Sequence, residues 1–511
     1  MPLLLNKIFA YKKVLAFILG GLAVQALPPF YHWYVLFISF SGLFYLAAIA
    51  HNKKQAFAYG YWFGFAYFAF GLFWVNNALL VNPEQTGWLI PVTFIASGAF
   101  FGLFIGLPTL LTQLNKSLVG KYLALAGWIV IFEWLRSWIL TGFPWNLIGT
   151  TLAFNLNLIQ LASVLGTYGL SLLVLLATAA PALYRPQFSK KQLVLITCIP
   201  LAIFSFLYFY GNQRISHLQD NQDSIVKIRL VQPNIQQSVK WSADLREEHF
   251  QKHLQLSASQ PLNDVSMVIW SETASPYPLD LNKAAAQKIA EILPPETYLT
   301  TGVIRYQDNY YGGWLPYNSS LILNFSGEIE DFYDKTHLVP FGEYIPLRQW
   351  LPDFIRPVTN IIANLEAGTG PKIIKISSLP PFSIQICYEI IFPHQIIKNN
   401  EKPEWLINLT NDGWYGISSG PYQHLVAAQM RAVEEGLTIV RSAGSGISAV
   451  INRYGKIVKK LDLNTQGILD INLPQKLATH TFYNHWGNLF PLLLCLLNIF
   501  ISLLFFRKNH Q

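Results

Sequence analysis

From Met1 to Gln213 the sequence carries only thirteen charged side chains, eleven basic and two acidic (Glu84 and Glu133). A helix needs about 20 apolar residues to span a hydrocarbon core. This stretch has room for seven such helices, near 14–30, 33–50, 56–80, 88–113, 121–141, 158–184 and 192–211. An eighth apolar run, free of charge, extends from about Gly487 to Phe506. Charged residues make up 13% of the whole chain, against about a quarter in ordinary soluble domains. A simple soluble enzyme and a disordered chain are both excluded. Lys7, Lys12 and Lys13 precede the first apolar run as in a signal peptide, but the run leads directly into further spans, which predicts an uncleaved first helix.

The loops alternate in charge. The N-terminus and the loops at 51–54, 115–121 and 185–191 are basic, whereas those near 28–33, 81–87 and 142–157 hold one charge between them, Glu84. By the positive-inside rule the basic set is cytoplasmic. Seven crossings then put residue 214 outside, and the last helix returns Arg507 and Lys508 to the cytoplasm. The expected organisation is a membrane domain over 1–213, an outer domain over 214–486, and a terminal helix and tail over 487–511. In a Gram-negative cell the outer domain would face the periplasm. Between Arg214 and Trp486 the chain has 23 basic and 26 acidic residues, so the net charge of +8 arises beside the apolar segments. It predicts no nucleic-acid partner.

Cys198 and Cys495 fall in expected spans, which leaves Cys387 alone in the outer domain. In an oxidising compartment a lone thiol is either a buried bystander or a nucleophile. Short β-branched runs at Lys227–Val231, Val265–Trp270, Tyr298–Ile304, Ser320–Phe325, Phe382–Ile386, Trp405–Leu409 and Ile447–Asn452 predict strands. Helical patterns at 242–258, 283–292 and 421–438 lie between some of them. The interleaving predicts one α/β domain with a buried sheet. Glu272, Lys335, Cys387, Asn411 and Asp412 each follow a strand-like stretch, where sites in α/β sheets form. If the strand at Phe382 continues to Glu389, Ser383, Gln385, Cys387 and Glu389 share one face.

A carboxylate, an amine and a thiol make a chemically sensible set. The carboxylate can take the thiol proton, and the ammonium can stabilise the oxyanion that thiolate attack on an acyl carbonyl creates. By spacing alone, Lys335 reads equally as a solvated turn lysine and Glu272 as a carboxylate at a helix N-terminus.

Longer motifs add a resemblance. Trp-Ser-Glu-Thr (270–273), Tyr-Asp-Lys-Thr-His-Leu-Val-Pro-Phe-Gly-Glu-Tyr-Ile-Pro (333–346) and Ile-Cys-Tyr-Glu (386–389) are similar in order and content to one family. So are Asn-Leu-Thr-Asn-Asp-Gly-Trp-Tyr-Gly (408–416) and Pro-Tyr-Gln-His-Leu (421–425). The chain resembles the apolipoprotein N-acyltransferases, the membrane branch of the nitrilase superfamily. The resemblance implies about eight transmembrane helices plus an αββα sandwich, with Glu272 as base, Lys335 as oxyanion stabiliser and Cys387 as nucleophile. Glu343, Tyr388, Glu389 and Trp414 match supporting positions. It implies transfer of the sn-1 acyl chain of a phospholipid such as phosphatidylethanolamine, through a Cys387 thioester, to the α-amine of a diacylglyceryl-cysteine at a lipoprotein N-terminus. Its partners are thus a phospholipid donor and a lipoprotein acceptor, and it implies no cofactor and no metal.

The sequence departs from the family pattern at Ser271, where proline is usual, at Gly444 within Arg-Ser-Ala-Gly-Ser-Gly (441–446), and after Gly436. These changes bear on lipid or acceptor preference. Residues 344–365, apolar and interrupted by proline, read as a lipid-facing arm or a buried loop. Gly416–Gly420 matches the G-x-S-x-G pattern without the strand-to-helix turn of a nucleophile elbow. His249 and His253 stand four apart on an expected helix among Glu247, Glu248 and Lys252, which predicts a solvated face over a metal pair. Glu133 and Arg136 suit either a mutual ion pair or a transport pathway. A membrane-tethered amidase and a transporter with an outer binding domain are the alternative functions.

Overall fold

The computed structural model describes residues 2–185, 189–216, 223–309, 313–350, 364–397, 402–474 and 480–505. The chain divides into two compact units, Met1–Asn76, Glu84–Leu218 and Thr481–Gln511 in one, Asn77–Pro83 and Gln219–His480 in the other. Most of the expected arm (351–363), part of the basic 185–191 loop (186–188) and the tail with Arg507 and Lys508 lie outside the described residues.

The first unit is helical. Among the described residues, four helical stretches are long and apolar enough to cross a membrane: Pro83–Leu114, Leu118–Leu135, Ala162–Leu183 and Lys190–Ser216. A fifth is reached if Lys53–Gly71 and Phe73–Leu80, bent by 42°, count as one span. Val35–Ala48 and Leu489–Leu504 are shorter apolar helices. The run expected at 56–80 is thus broken next to Gly71, a residue type at which helices kink. The run expected at 121–141 ends at Leu135. There the Arg136 guanidinium donates to the carbonyls of Phe143 and Trp145, while Glu133 accepts the Ile148 N–H. Both charges therefore satisfy a non-helical return of the chain, a use that the sequence reading did not foresee.

The second unit is built on two six-stranded sheets. The first has the order β12-β1-β2-β3-β4-β5 and the second β11-β10-β9-β8-β7-β6. In the first sheet β1 (Asp223–Gln232), β2 (Met267–Ile269) and β3 (Tyr298–Asn309) run parallel, while β4 (Gly313–Leu323) pairs antiparallel with β3, β5 (Ile329–Asp334) with β4, and β12 (Gly467–Pro474) with β1. In the second sheet β7 (Phe382–Ile386), β8 (Trp405–Thr410) and β9 (Thr438–Ala443) are parallel. Here β6 (Ile373–Ile374) pairs antiparallel with β7, β10 (Ser448–Ile451) with β9, and β11 (Ile457–Leu461) with β10.

One core joins the sheets face to face. Ile228, Leu230 and Ile269 from the first pack in the same cluster as Ile384, Ile407 and Val440 from the second. Helices α1 (Arg246–Ser257) and α2 (Lys283–Ala290) cover the outer face of the first sheet, burying Phe250, Leu254 and Ile289 against Val268, Trp270 and Leu299. Helix α3 (Gly420–Glu435) lies against β9 and β10 of the second. The result is an αββα sandwich whose parallel strands are buried on both faces, which is why they read as continuous apolar runs. Strands β6, β9, β11 and β12 had no counterpart in the sequence reading.

Candidate functional site

Each chemically interesting side chain sits just beyond the carboxyl end of a strand. Glu272 follows β2, Lys335 follows β5, Cys387 follows β7, and Asp412 follows β8. Glu272, Lys335 and Cys387 are 6%, 1% and 5% exposed, so these groups meet away from solvent. The Lys335 ammonium stands 3.3 Å from Glu272 Oε1 and 2.9 Å from Glu343 Oε1. The Asn318 amide bridges the same two carboxylates, at 2.8 Å to Glu272 and 2.7 Å to Glu343. The Cys387 thiol lies 3.9 Å from the Tyr415 hydroxyl and feels the charge of Glu272.

The strand carrying Cys387 stops one residue short of it. Residues Cys387–Ile391 form a 3-10 turn, and Cys387 itself has φ of +51°. The expected extended face, Ser383 through Glu389, therefore ends at Ile386. A non-glycine residue in the left-handed region costs on the order of 1–3 kcal/mol and persists only where its surroundings hold it. Two sets of contacts do so. The Glu389 carboxylate accepts the Ile386 N–H at 2.7 Å, the Thr336 N–H at 2.7 Å, the His337 N–H at 3.1 Å and the Tyr333 hydroxyl at 2.8 Å. It thereby ties the turn bearing Cys387 to the loop bearing Lys335. On the other side, His424 Nε2 is 3.1 Å from the Cys387 carbonyl and its Nδ1 is 2.8 Å from Asp412 Oδ1. Arg441 completes this group, donating to Asp412 at 2.7 Å and to Asn408 at 2.5 Å.

The electrostatics follow from burial and the neighbouring charges. Burial pushes the Glu272 carboxyl up, but Lys335, the Asn318 amide and Lys240 together outweigh it and hold the group below the ordinary carboxylate value. Burial opposes charge on Lys335 as well, yet Glu343 and Glu272 raise it above the usual lysine range. The resting pair is therefore a carboxylate and an ammonium. Burial, with the Glu272 charge second, pushes the Cys387 thiol up to about 12. At neutral pH Cys387 is therefore a thiol in the field of an ionised carboxylate.

Of the supporting positions, Glu343 touches Lys335 directly, while Glu389 acts on the backbone on both sides. Tyr388 is buried, its ring 5.1 Å from Phe392 and 6.1 Å from His337. Trp414 lies half-buried on the turn Asp412–Tyr415. Ser418 belongs to a local turn, donating to the Tyr415 carbonyl and accepting the Gly420 N–H. The solvated face expected for His249 and His253 is corrected. They are 7% and 2% exposed, because α1 turns them inward, with the His253 ring 4.8 Å from Trp270. Asn318, Tyr415 and Lys240 went unnoticed in the sequence. Asn318 stands in the polar run Asn-Ser-Ser in the middle of β4, buried between the apolar ends of the strand.

With this geometry in place, the comparisons identify the family. Residues 19–180 match the apolipoprotein N-acyltransferase N-terminal domain, and residues 227–482 match the carbon-nitrogen hydrolase domain. An apolipoprotein N-acyltransferase of Rhodopseudomonas palustris is 38% identical over 501 residues, covering 94% of this chain and 92% of that protein. One from Rickettsia typhi is 36% identical over 512 residues, covering 96% and 99%. A solved nitrilase-superfamily amidase from Nesterenkonia AN1 aligns with 50% of this chain and 92% of its own, at 16% identity and a TM-score of 0.36. By the near full-length identity to these enzymes, the chain belongs to the apolipoprotein N-acyltransferase family.

Proposed function

We propose that the protein moves the sn-1 acyl chain of a phospholipid, phosphatidylethanolamine being the typical donor, onto the α-amine of an S-diacylglyceryl-cysteine at a lipoprotein N-terminus. Glu272 takes the proton from Cys387 Sγ as sulfur attacks the ester carbonyl. Lys335 neutralises the oxyanion of the tetrahedral intermediate. The ester C–O bond breaks, the leaving glycerol oxygen receives the proton from Glu272, and a lysophospholipid departs. The acceptor amine then attacks the thioester, Glu272 takes the amine proton, the C–S bond breaks, and the proton returns to sulfur. A thioester suits both halves, since it is formed by a strong nucleophile and is readily cleaved by an amine.

The reading places about eight helices in the bacterial inner membrane, both termini in the cytoplasm and the sandwich in the periplasm. The alternation of basic and neutral loops supports this arrangement. It also takes 1–213 as the membrane domain, 214–486 as the catalytic domain and 487–511 as the last helix and tail. Glu343 and Glu389 would hold the triad, with Tyr388 and Trp414 beside the substrates.

The observation that carries the reading is the meeting of Glu272, Lys335 and Cys387 in one buried cluster. The test is peptide mass spectrometry after incubation with phosphatidylethanolamine alone, beside Cys387→Ser. The expected result is a hydroxylamine-sensitive acyl adduct on the Cys387 peptide that a diacylated lipopeptide amine discharges. A folded protein whose Cys387 stays unmodified, and which cleaves small amides instead, would replace the proposal with the amidase reading.

A further inference from the structure

A second lysine stands at the site, and the mechanism above does not use it. Lys240 follows β1 on the way to α1, and its ammonium donates to the Glu272 backbone carbonyl at 3.1 Å and to the Thr273 hydroxyl at 2.9 Å. Both acceptors are neutral, and among the described residues no carboxylate forms an ion pair with it. A half-buried ammonium without a direct counter-ion is costly unless a nearby charge compensates at longer range. The charged or ionisable groups that face Lys240 are Glu272 after β2, Cys387 after β7, and His249 and His253 on α1. Burial lowers both histidines, His253 to about 4, so neither carries charge near neutrality.

The carbonyl that Lys240 holds belongs to the base itself. Thr273, the next residue, has φ of +45°, a second non-glycine strain beside that of Cys387. The lysine thus clamps the strained turn that aims Glu272 while adding positive charge near the thiol and the carboxylate. Lys240, Ser271, Thr273, Asn411 and Gly444 also line one cavity with Trp241.

We infer that Lys240 is a positioning residue of the acyl-transfer site, holding the Glu272–Thr273 turn and supplying, while protonated, a second positive charge that favours the Cys387 thiolate over the thiol. The inference rests on the assignment of Cys387 as nucleophile, but its test needs no lipid. Burial lowers the Lys240 ammonium to about 8, against the opposing pull of Glu272 and Cys387, so its charge disappears within an accessible pH range.

The experiment follows alkylation of the Cys387 peptide by iodoacetamide from about pH 6 to 10, spanning the Lys240 titration, in the full-length protein in detergent, beside Lys240→Met and Lys240→Arg. Peptide-resolved detection separates Cys387 from the exposed Cys198. Wild type should react about tenfold faster than Lys240→Met below pH 8, the effect of roughly one pH unit in the thiol, and converge on it above. Lys240→Arg, charged throughout, should hold its advantage over Met at every pH. A merely structural lysine would leave wild type and Met offset by a constant factor across the range, and that result would overturn the inference, as would Arg tracking Met. Thermal melts of each variant establish that the comparison is between folded proteins. If the lipid fails to acylate Cys387 while these curves behave as expected, the substrate reading fails and the role of Lys240 stands.

Discussion

The Lys335 ammonium pairs more closely with Glu343, at 2.9 Å, than with Glu272, at 3.3 Å. Glu343 is itself pinned, since its second oxygen accepts the Val339 N–H at 2.8 Å. Glu343 thus anchors the lysine to its own loop, while Glu272 keeps a looser hold on it and acts on the Cys387 thiol through its charge. One carboxylate orients and the other is left able to move a proton. Glu343→Gln keeps the shape and removes the anchoring charge, so Lys335 should swing toward Glu272 and compete with the thiol. The expected outcome is a fall in kcat of about a hundredfold, typical of a misplacement near 1 Å, with little change in KM. Single-turnover acylation of Cys387 checks it. An unchanged acylation rate would make Glu343 a bystander.

The group beneath Cys387 predicts acid sensitivity. Burial pushes the Asp412 carboxyl up, but the Arg441 guanidinium beside it outweighs burial and holds the group at about 2. A depressed carboxyl stabilises the fold above its ordinary value near 3.8 and loses that contribution as pH falls toward 2. The amount is about 2 kcal/mol. Burial and the Arg441 charge lower His424, so it sits neutral in the fold while the unfolded chain takes up a proton near 6.5. Stability should therefore decline on acidification from about pH 6.5 downward, steepening below pH 4. Arg441→Met should flatten the part below pH 4 and cost on the order of 3–5 kcal/mol at neutrality by leaving Asp412 buried without its cation. Thermal unfolding across pH, followed by tryptophan fluorescence, measures both effects.

His424 carries a separate prediction, since it touches the backbone of Cys387. Replacing it with alanine leaves the Cys387 carbonyl without its 3.1 Å partner and relaxes one restraint on a residue at φ of +51°. His424→Asn should restore part of the acylation rate that His424→Ala loses, because an amide can still donate to the carbonyl. Equal losses in the two variants would assign His424 to packing alone.

Glu272, Lys335, Cys387, Glu343 and the parallel strands other than β9 were legible because they are spelled by contiguous motifs and by apolar runs of strand length. What was not legible depends on chain reversals and on distant partners. Nothing in Phe-Ser-Ile-Gln-Ile-Cys announces that the strand ends at Ile386, because the turn is imposed by Glu389 reaching back to the Ile386 N–H. Asn318 and Lys240 lie outside the motifs and meet Glu272 only when β1, β2 and β4 assemble in one sheet. The inward face of His249 and His253 was misread because Glu247, Glu248 and Lys252 are close in sequence but point elsewhere on the helix. Ser271 and Gly444, two departures from the family pattern, prove to be neighbours: a side-chain carbon on Gly444 would stand 3.1 Å from Ser271 Oγ. Each of these changes therefore has its counterpart across the cavity, a pairing that no linear reading displays.

Gly302 offers the most direct test of how the backbone places the base. It lies in β3, where its N–H donates to the Ser271 carbonyl at 3.1 Å and its own carbonyl accepts the Ser275 N–H at 3.1 Å. A Cβ at this position would fall 2.3 Å from the Thr273 nitrogen and 2.6 Å from the Glu272 Cα. Both are backbone atoms, so neither can rotate away, and the strand is buried on its own side. Gly302→Ala must push the Glu272–Thr273 turn outward, stretching the Lys240 contacts and the 3.3 Å approach of Glu272 to Lys335. Acylation of Cys387 should fall by about a hundredfold or more, and the melting temperature should drop as the overpacked strand costs about 1–3 kcal/mol. Gly313→Ala, at the far end of the same hairpin, meets only the Asn309 side chain at 3.1 Å or beyond and should leave acylation near wild type. Equal activity in the two variants would mean that the turn can move without disturbing the base.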